Sequence, residues 1–279
     1  MKAKYIDPFT DFGFKKIFGE ESSKPLLIDF LNNLLPESRI VTLSFKDKEQ
    51  QGKSEEERKA IYDIYCENDK GEKIIIELQK VKQNFFKDRT IYYSTFPIQE
   101  QATKGDWNYE LKSVFCVGIL DFKFDEDTLS KNEVIHTVQL KDHHNQVFYD
   151  KLKFVYLEMP HFSKAENELE TRLDKWLYFI KHLEDFQNIP EVFKDEIFEI
   201  AFEKAEIAKY TENERNEYEQ SLKIYRDLKG AFDTAFYDGK IEGINYRNNE
   251  IAKSLKENGV SIDIIIKTTG LTLKQIDLL

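Results

Sequence analysis

The chain has 279 residues, 41% hydrophobic and 14% aromatic with 22 Phe and 14 Tyr, which excludes a disordered polypeptide and supports one substantial domain plus an accessory piece. No apolar stretch follows Met1-Lys2-Ala3-Lys4, and the longest apolar run, Val114 to Leu120, is far short of the roughly 20 residues of a membrane span, so a soluble cytoplasmic protein is expected. The formal net charge of -11 runs against binding to a phosphate backbone, but it is unevenly spread: -4 on residues 1–159, -8 on 160–245 and +1 on 246–279.

Apolar residues at three- and four-residue spacings predict two short helices, Asp11 to Phe18 and Leu26 to Leu35, stopped by Pro36. The period then changes. Strands rich in Val, Ile, Phe and Tyr are expected over Ile40 to Lys46, Ile61 to Cys66, Ile74 to Gln79, Val114 to Asp121, Val134 to Leu140 and Phe154 to Glu158. One helix, about Asn84 to Lys104, interrupts them, with Pro97 expected to kink it. Cys66 and Cys116 fall inside strand-like runs and read as reduced core residues. After Pro160 the strand signals stop, and helices are expected over Asn167 to Leu183, Glu191 to Lys209 and Asn213 to Tyr237. Asp238-Gly239 and Gly243 read as punctuation before a small terminal unit, Asn248 to Leu279, itself divided at Asn258-Gly259 and Thr269-Gly270. The expected organisation is therefore residues 1–160, 161–245 and 246–279.

The segment from Ile61 to Gln79 reads as a β-hairpin. Gly71 suits the left-handed position that closes a type I turn with a G1 bulge, leaving Asp69 to Gly71 as the loop and pairing Asn68 with Glu72. Counting outward, Tyr65 faces Ile75 and Asp63 faces Glu77, with opposed Cβ atoms about 4.5–5.5 Å apart. Gln79 projects to the face of Glu77, and Ile74, Ile76 and Leu78 to the other. Two ionised carboxylates so close repel each other unless a proton or a divalent cation lies between them. Mg²⁺, or Mn²⁺ in its place, suits such a pair, because its octahedral shell at roughly 2.0–2.1 Å is completed by waters and phosphate oxygens. Without that chemistry the same residues are the polar face of a solvated hairpin.

The wider pattern consists of Thr10-Asp11 with Phe14-Lys15-Lys16-Ile17-Phe18-Gly19, Leu31 to Leu35, Asp63, and Ile75-Ile76-Glu77-Leu78-Gln79. Phe86 with Arg89, Tyr93, Gln101, Gly105 and Tyr109 follow, then Val114 to Asp121 with Phe122 and Phe124. In order and in kind this resembles the recombination-promoting nucleases, or PD-(D/E)xK nuclease family transposases, over most of the chain. The resemblance implies a restriction-endonuclease-like α/β core with a mixed central sheet flanked by helices, followed by a helical C-terminal region. It implies Asp63 as the motif aspartate and Glu77 as the acidic residue of the E-x-K element, both metal ligands. Gln79 stands where the wider superfamily has lysine; the E-x-Q form is usual in this family, and glutamine, unable to deprotonate a water, is expected to position it or the phosphate. Asp11 would supply the acidic residue of the first helix. The implied activity is a Mg²⁺-dependent endodeoxyribonuclease linked to DNA recombination or mobile elements, with DNA and a second copy of the chain as candidate partners. The rival readings are a catalytically inactive DNA-binding or protein-interaction module and a nuclease acting on RNA.

Lys82 and Arg89 are expected to meet phosphates, whereas Lys80 and Lys87 read as ordinary surface charge. Arg89 and Tyr93, at i and i+4, share a helix face, Tyr93 for packing. Asp142-His143-His144 reads as a loop, and Trp107 and Trp176 as core. Asp125-Glu126-Asp127 reads as solvated charge, because the glycine and final glutamate of a calcium loop are missing. The tail, Glu250 to Leu279, resembles a helix-turn-helix with a recognition helix from Ser261 or Thr272 onward; a helical dimerisation or docking tail is the other reading.

Overall fold

Thr10 caps the first helix, α1 (Asp11–Phe18): its hydroxyl oxygen accepts from the Gly13 amide at 3.0 Å and its proton goes to the Asp7 carbonyl at 2.7 Å. Gly13 has no room for a side chain, since a Cβ there would lie 2.2 Å from the Asp7 carbonyl oxygen. Helix α2 (Lys24–Leu34) carries Pro25 in its first turn and stops ahead of Pro36. The computed structural model describes residues 3–47, 49–50, 60–102, 105, 108–124 and 133–279. Trp107 and Asp125-Glu126-Asp127, read above as core and as solvated charge, lie outside the described residues.

The strands are β1 (Leu43–Phe45), β2 (Glu49–Gln50), β3 (Ala60–Ile61), β4 (Ile64–Asn68), β5 (Lys73–Gln79), β6 (Val114–Leu120), β7 (Ile135–Lys141) and β8 (Val147–Glu158). Six of them form a mixed sheet in the order β1-β4-β5-β6-β8-β7, in which β5, β6 and β8 run parallel and the outer strands antiparallel. β2 and β3 pair separately. The parallel step from β5 to β6 needs a crossover, supplied by α3 (Phe86–Glu100), with Pro97 buried inside it.

Both faces of this sheet are covered, which is why β5 and β6 read as nearly unbroken apolar runs. On one face Ile74, Ile76, Val117 and Leu157 join a core with Phe14 of α1, Phe30 of α2, Trp176 of α4 (Arg172–His182) and Phe198 of α5 (Glu196–Ala205). On the other, Tyr65, Ile75, Cys116 and Tyr156 pack with Phe86 of α3. The helices after Pro160 thus share the first core. Cys66, in the first core, and Cys116, in the second, are buried free thiols, as expected.

Several elements depart from the sequence expectation. The first strand shrinks to Leu43–Phe45, because Ile40 is held instead by the Asn32 side chain, which accepts from its amide at 2.8 Å and donates to its carbonyl at 2.9 Å. The last strand starts at Val147 rather than Phe154, since the lower half of the β7–β8 hairpin is largely solvated and lacks an apolar signature. Its turn holds Asp142-His143-His144, the expected loop, with Asn145 at φ 63. Gly239 and Gly243 do not end a helix: α6 (Glu212–Glu257) runs through both. A mid-helix glycine costs only about 1 kcal/mol relative to alanine. The stop comes where a left-handed residue is available, at Gly259 with φ +73.

The chain divides into two compact units, Met1–Tyr225 and Arg226–Leu279. In the second, α7 (Ile262–Thr269) and α8 (Leu273–Asp277) enclose a small core of Ala252, Ile265, Leu271 and Ile276. Thr272 caps α8 through a box with Gln275. Among the described residues no helix is long and apolar enough to cross a membrane.

Candidate active site

The hairpin turn fixes the register on which the site depends. Gly71 adopts φ +77 and donates its amide to the Asn68 carbonyl at 3.0 Å, and Asn68 donates to the Glu72 carbonyl at 3.1 Å. Tyr65 pairs with Ile75 and Ile64 with Ile76, so the next step of the register sets Asp63 against Glu77. Asp63 itself stands at a bend, however, and the expected strand Ile61 to Cys66 is interrupted there. Its Oδ2 accepts from the Leu78 amide at 2.7 Å, so a carboxylate stands in for a strand carbonyl at the end of the ladder. The bend turns Tyr62 to the α3 side, where it packs on Tyr65 and Tyr93 and donates its hydroxyl to the Tyr93 carbonyl at 3.0 Å.

Glu77 sits on β5 beside Gly118 of β6, where a Cβ would approach the Tyr156 ring to 3.0 Å. Glu77, Thr90, Tyr93, Gly118 and Tyr156 line a cavity of about 10 Å³, the space of about one water molecule. Glu77 Oε1 is buried with no hydrogen-bond partner among the described residues. Burial pushes the Glu77 carboxyl up to about 8, with the charge of Asp63 adding to the rise and Arg89 opposing it. Asp63 is raised too, first by burial and then by the charge of Asp11, against the Leu78 amide and the cations Lys15 and Lys80. The two carboxyls therefore favour a shared proton or a bound cation over two bare charges.

Gln79 is buried, and both ends of its amide are engaged. Its Nε2 donates to the Val81 carbonyl at 2.9 Å, and its Oε1 accepts from Arg89 Nη2. Arg89 donates from Nη1 to Gln83 at 2.7 Å, and its buried Nε has no partner among the described residues. Its guanidinium lies 5.4 Å from the Phe86 ring centre and 5.7 Å from that of Tyr93, in keeping with the shared helix face. Asp11 opens α1, pairs with Lys15 at 2.8 Å, and acts electrostatically on Asp63 and Lys80. Lys82 is exposed and lines a separate pocket at the start of α3 with Gln83 and Lys87.

Two cations that the sequence reading gave no role at the site act on its acids. Lys80, read above as ordinary surface charge, is half-buried; burial lowers its pKa while Asp11, Asp63 and Asp7 hold it up. Lys15 acts on both Asp63 and Glu77. The signals the sequence carries are their positions, four residues after Asp11 and one after Gln79, and for Lys15 its place in the pattern from Thr10 to Gly19.

Among the described residues no group of three His, Cys, Asp or Glu side chains is arranged to hold a metal. Asp63 and Glu77 offer two hard oxygen donors, one of them with no other partner, which fits a Mg²⁺-type ion that keeps several waters. No curated protein and no solved structure gives a significant match to the chain. A family profile described as PD-(D/E)XK nuclease family transposase matches residues 8–235, a span that includes Asp11, Asp63, Glu77, Gln79 and Arg89. With that match over most of its length and a mixed sheet flanked by helices, the chain belongs to the PD-(D/E)XK nuclease family transposases.

Proposed function

We propose that the chain is a divalent-metal-dependent endodeoxyribonuclease that hydrolyses DNA phosphodiester bonds, with Asp63 and Glu77 as the metal ligands and Mg²⁺ or Mn²⁺ as the ion. The observation that carries this reading is the unpartnered, buried Oε1 of Glu77 beside a second raised carboxyl. Leaving such an oxygen unsatisfied costs about 1–3 kcal/mol or more, and a cation between the two carboxylates would remove that cost. When bound, such an ion lowers the pKa of a water and offsets charge that develops on the phosphate.

The chain's own residues divide the remaining work. Asp63 is fixed in place by the Leu78 amide. Gln79 acts through Arg89: it anchors the guanidinium, whose second hydrogens on Nη1 and Nη2 are left to meet a phosphate oxygen. Lys15 and Lys80 place positive charge beside the pair, and Asp11 holds Lys15 there. The family's description connects this chemistry with mobile elements, and we place it on DNA in the cytoplasm, where Cys66 and Cys116 stay reduced.

Incubating the purified full chain with supercoiled plasmid in Mg²⁺ or Mn²⁺ tests this. Nicked or linear product should form, and should be lost with EDTA, with Asp63→Ala and with Glu77→Gln. Cleavage that survives Asp63→Ala undiminished would sink the metal-pair mechanism, and products from RNA but not DNA would reassign the substrate. One observation favours a non-catalytic DNA-binding module: Gln79 replaces the motif lysine and spends both amide ends on protein groups. DNA binding without cleavage in either metal would decide for that reading.

A further inference from the structure

The turn after β5 leads directly into a second concavity. Lys82, Gln83, Phe85, Phe86, Lys87 and Phe124 are among the residues lining a pocket of about 330 Å³, within the roughly 300–1,000 Å³ range of small-ligand sites. We propose that this pocket is a nucleobase subsite, which takes an unstacked base of the DNA strand next to the phosphate held at the Asp63 and Glu77 pair. It rests on the nuclease reading above and names the form of DNA the site takes.

A hydrogen-bonded chain ties the pocket to the site. Gln83, on the pocket wall, accepts from one Nη of Arg89, and the other Nη donates to Gln79, two residues beyond Glu77 on the same strand. A nucleotide whose phosphate meets Arg89 therefore has its base within reach of the pocket. The wall is aromatic and braced: Phe86 and Phe122 meet edge to face at 5.9 Å, and Phe122 and Phe124 do so at 6.0 Å. Phe85 stands on the rim, 78% exposed, with its backbone at φ 61. A large apolar ring in water on a left-handed backbone is unfavourable twice over, and such strain is characteristically kept at ligand sites. An aromatic face accepts any base by stacking, whereas a base inside a duplex offers only its edge.

Charge separates a nucleotide from an apolar occupant. Among the described residues two lysines line the pocket against one acid, Asp88, and Lys87 Nζ lies 4.9 Å from the Phe124 ring centre. Cations set around an aromatic floor suit a base whose flanking phosphates pass over the rim.

Phe85→Ala is the test, because its side chain is exposed and its loss leaves the core intact, and Phe85→Trp is the control that restores an aromatic face. A single-stranded oligodeoxynucleotide carrying 2-aminopurine is titrated with the full chain in EDTA, so that binding is read without cleavage. Wild type and Phe85→Trp should quench the fluorophore with similar affinity, Phe85→Ala should bind roughly tenfold more weakly, and the matching duplex should be little affected by either change. Equal affinity of Phe85→Ala and wild type, or a fluorophore left unquenched, overturns the subsite. If wild type still cuts plasmid in Mn²⁺, the nuclease reading survives that result. A wild type that cuts nothing overturns the nuclease reading and the placement of this subsite beside a scissile phosphate with it. Preferential quenching on a ribo-oligonucleotide of the same sequence overturns the assignment to DNA.

Discussion

Glu77 places one carboxylate oxygen in a buried spot with no donor among the described residues, and its carboxyl is pushed up to about 8. A carboxyl raised in the folded state stabilises that state fully below its unfolded pKa of roughly 4.3, and the contribution is lost as pH climbs through about 8. The metal-free protein should therefore melt lower at pH 9 than at pH 5. Glu77→Gln should flatten that difference and raise the melting temperature at pH 9 by roughly 5 °C. Calorimetry across this range checks it, and Mn²⁺ at pH 8 should stabilise wild type but neither Glu77→Gln nor Asp63→Asn. Arg89 tests the division of roles. Arg89→Ala should lower plasmid cleavage roughly a hundredfold, with Arg89→Lys intermediate because a point charge cannot bridge Gln79 and Gln83 at once. At this scale the sequence put Asp63, Glu77 and Arg89 forward as candidates for the site. It could not show that Gln79 would turn its amide to Arg89 and Val81, because those partners are chosen by packing.

Among the elements, α1 is placed by a contact that only glycine permits. With Asp7 oxygen 2.2 Å from any Cβ at position 13, Gly13→Ala must push the turn away and carry Asp11 and Lys15 with it. We expect a loss of about 1–3 kcal/mol in urea unfolding, and a larger proportional fall in cleavage than in folded fraction at the assay temperature. The strands show where local pattern succeeds and fails. β5 and β6 were legible because both faces are buried and the apolar run is continuous. The break at Asp63 was not, because a polar residue in an alternating strand looks the same whether it points to solvent or takes a backbone amide of its neighbour.

For the whole molecule, the first unit has its core complete by Tyr225, with aromatic groups from α4 and α5 packed under the sheet. The second unit has a buried core of four apolar residues. Stability should differ accordingly, since small cores supply little. Hydrogen exchange should show the amides of α7 and α8 exchanging well before those of β5 and β6, and equal protection across both units would contradict this. The excess acid of residues 160–245, -8 of the net -11, falls on the helical half. The net charge of the chain therefore does not describe the surroundings of Asp63 and Glu77, where the cations Lys15 and Lys80 act on the acids.

The sequence by itself determined the elements whose signals are local. These are the Gly71 turn and the register it sets, the apolar runs of β5 and β6, the α3 crossover, and the ordered pattern from Thr10 to Phe124 that marks the family. Each follows from side-chain period or backbone preference within a few neighbouring residues. Tertiary structure alone decided the burial of Glu77, the bend at Asp63, the joining of Gln79 to Arg89, the nearness of Lys80 to the acids and the passage of α6 through its glycines. Those outcomes depend on solvent exclusion and on charges summed over residues far apart in the chain, which no local pattern encodes.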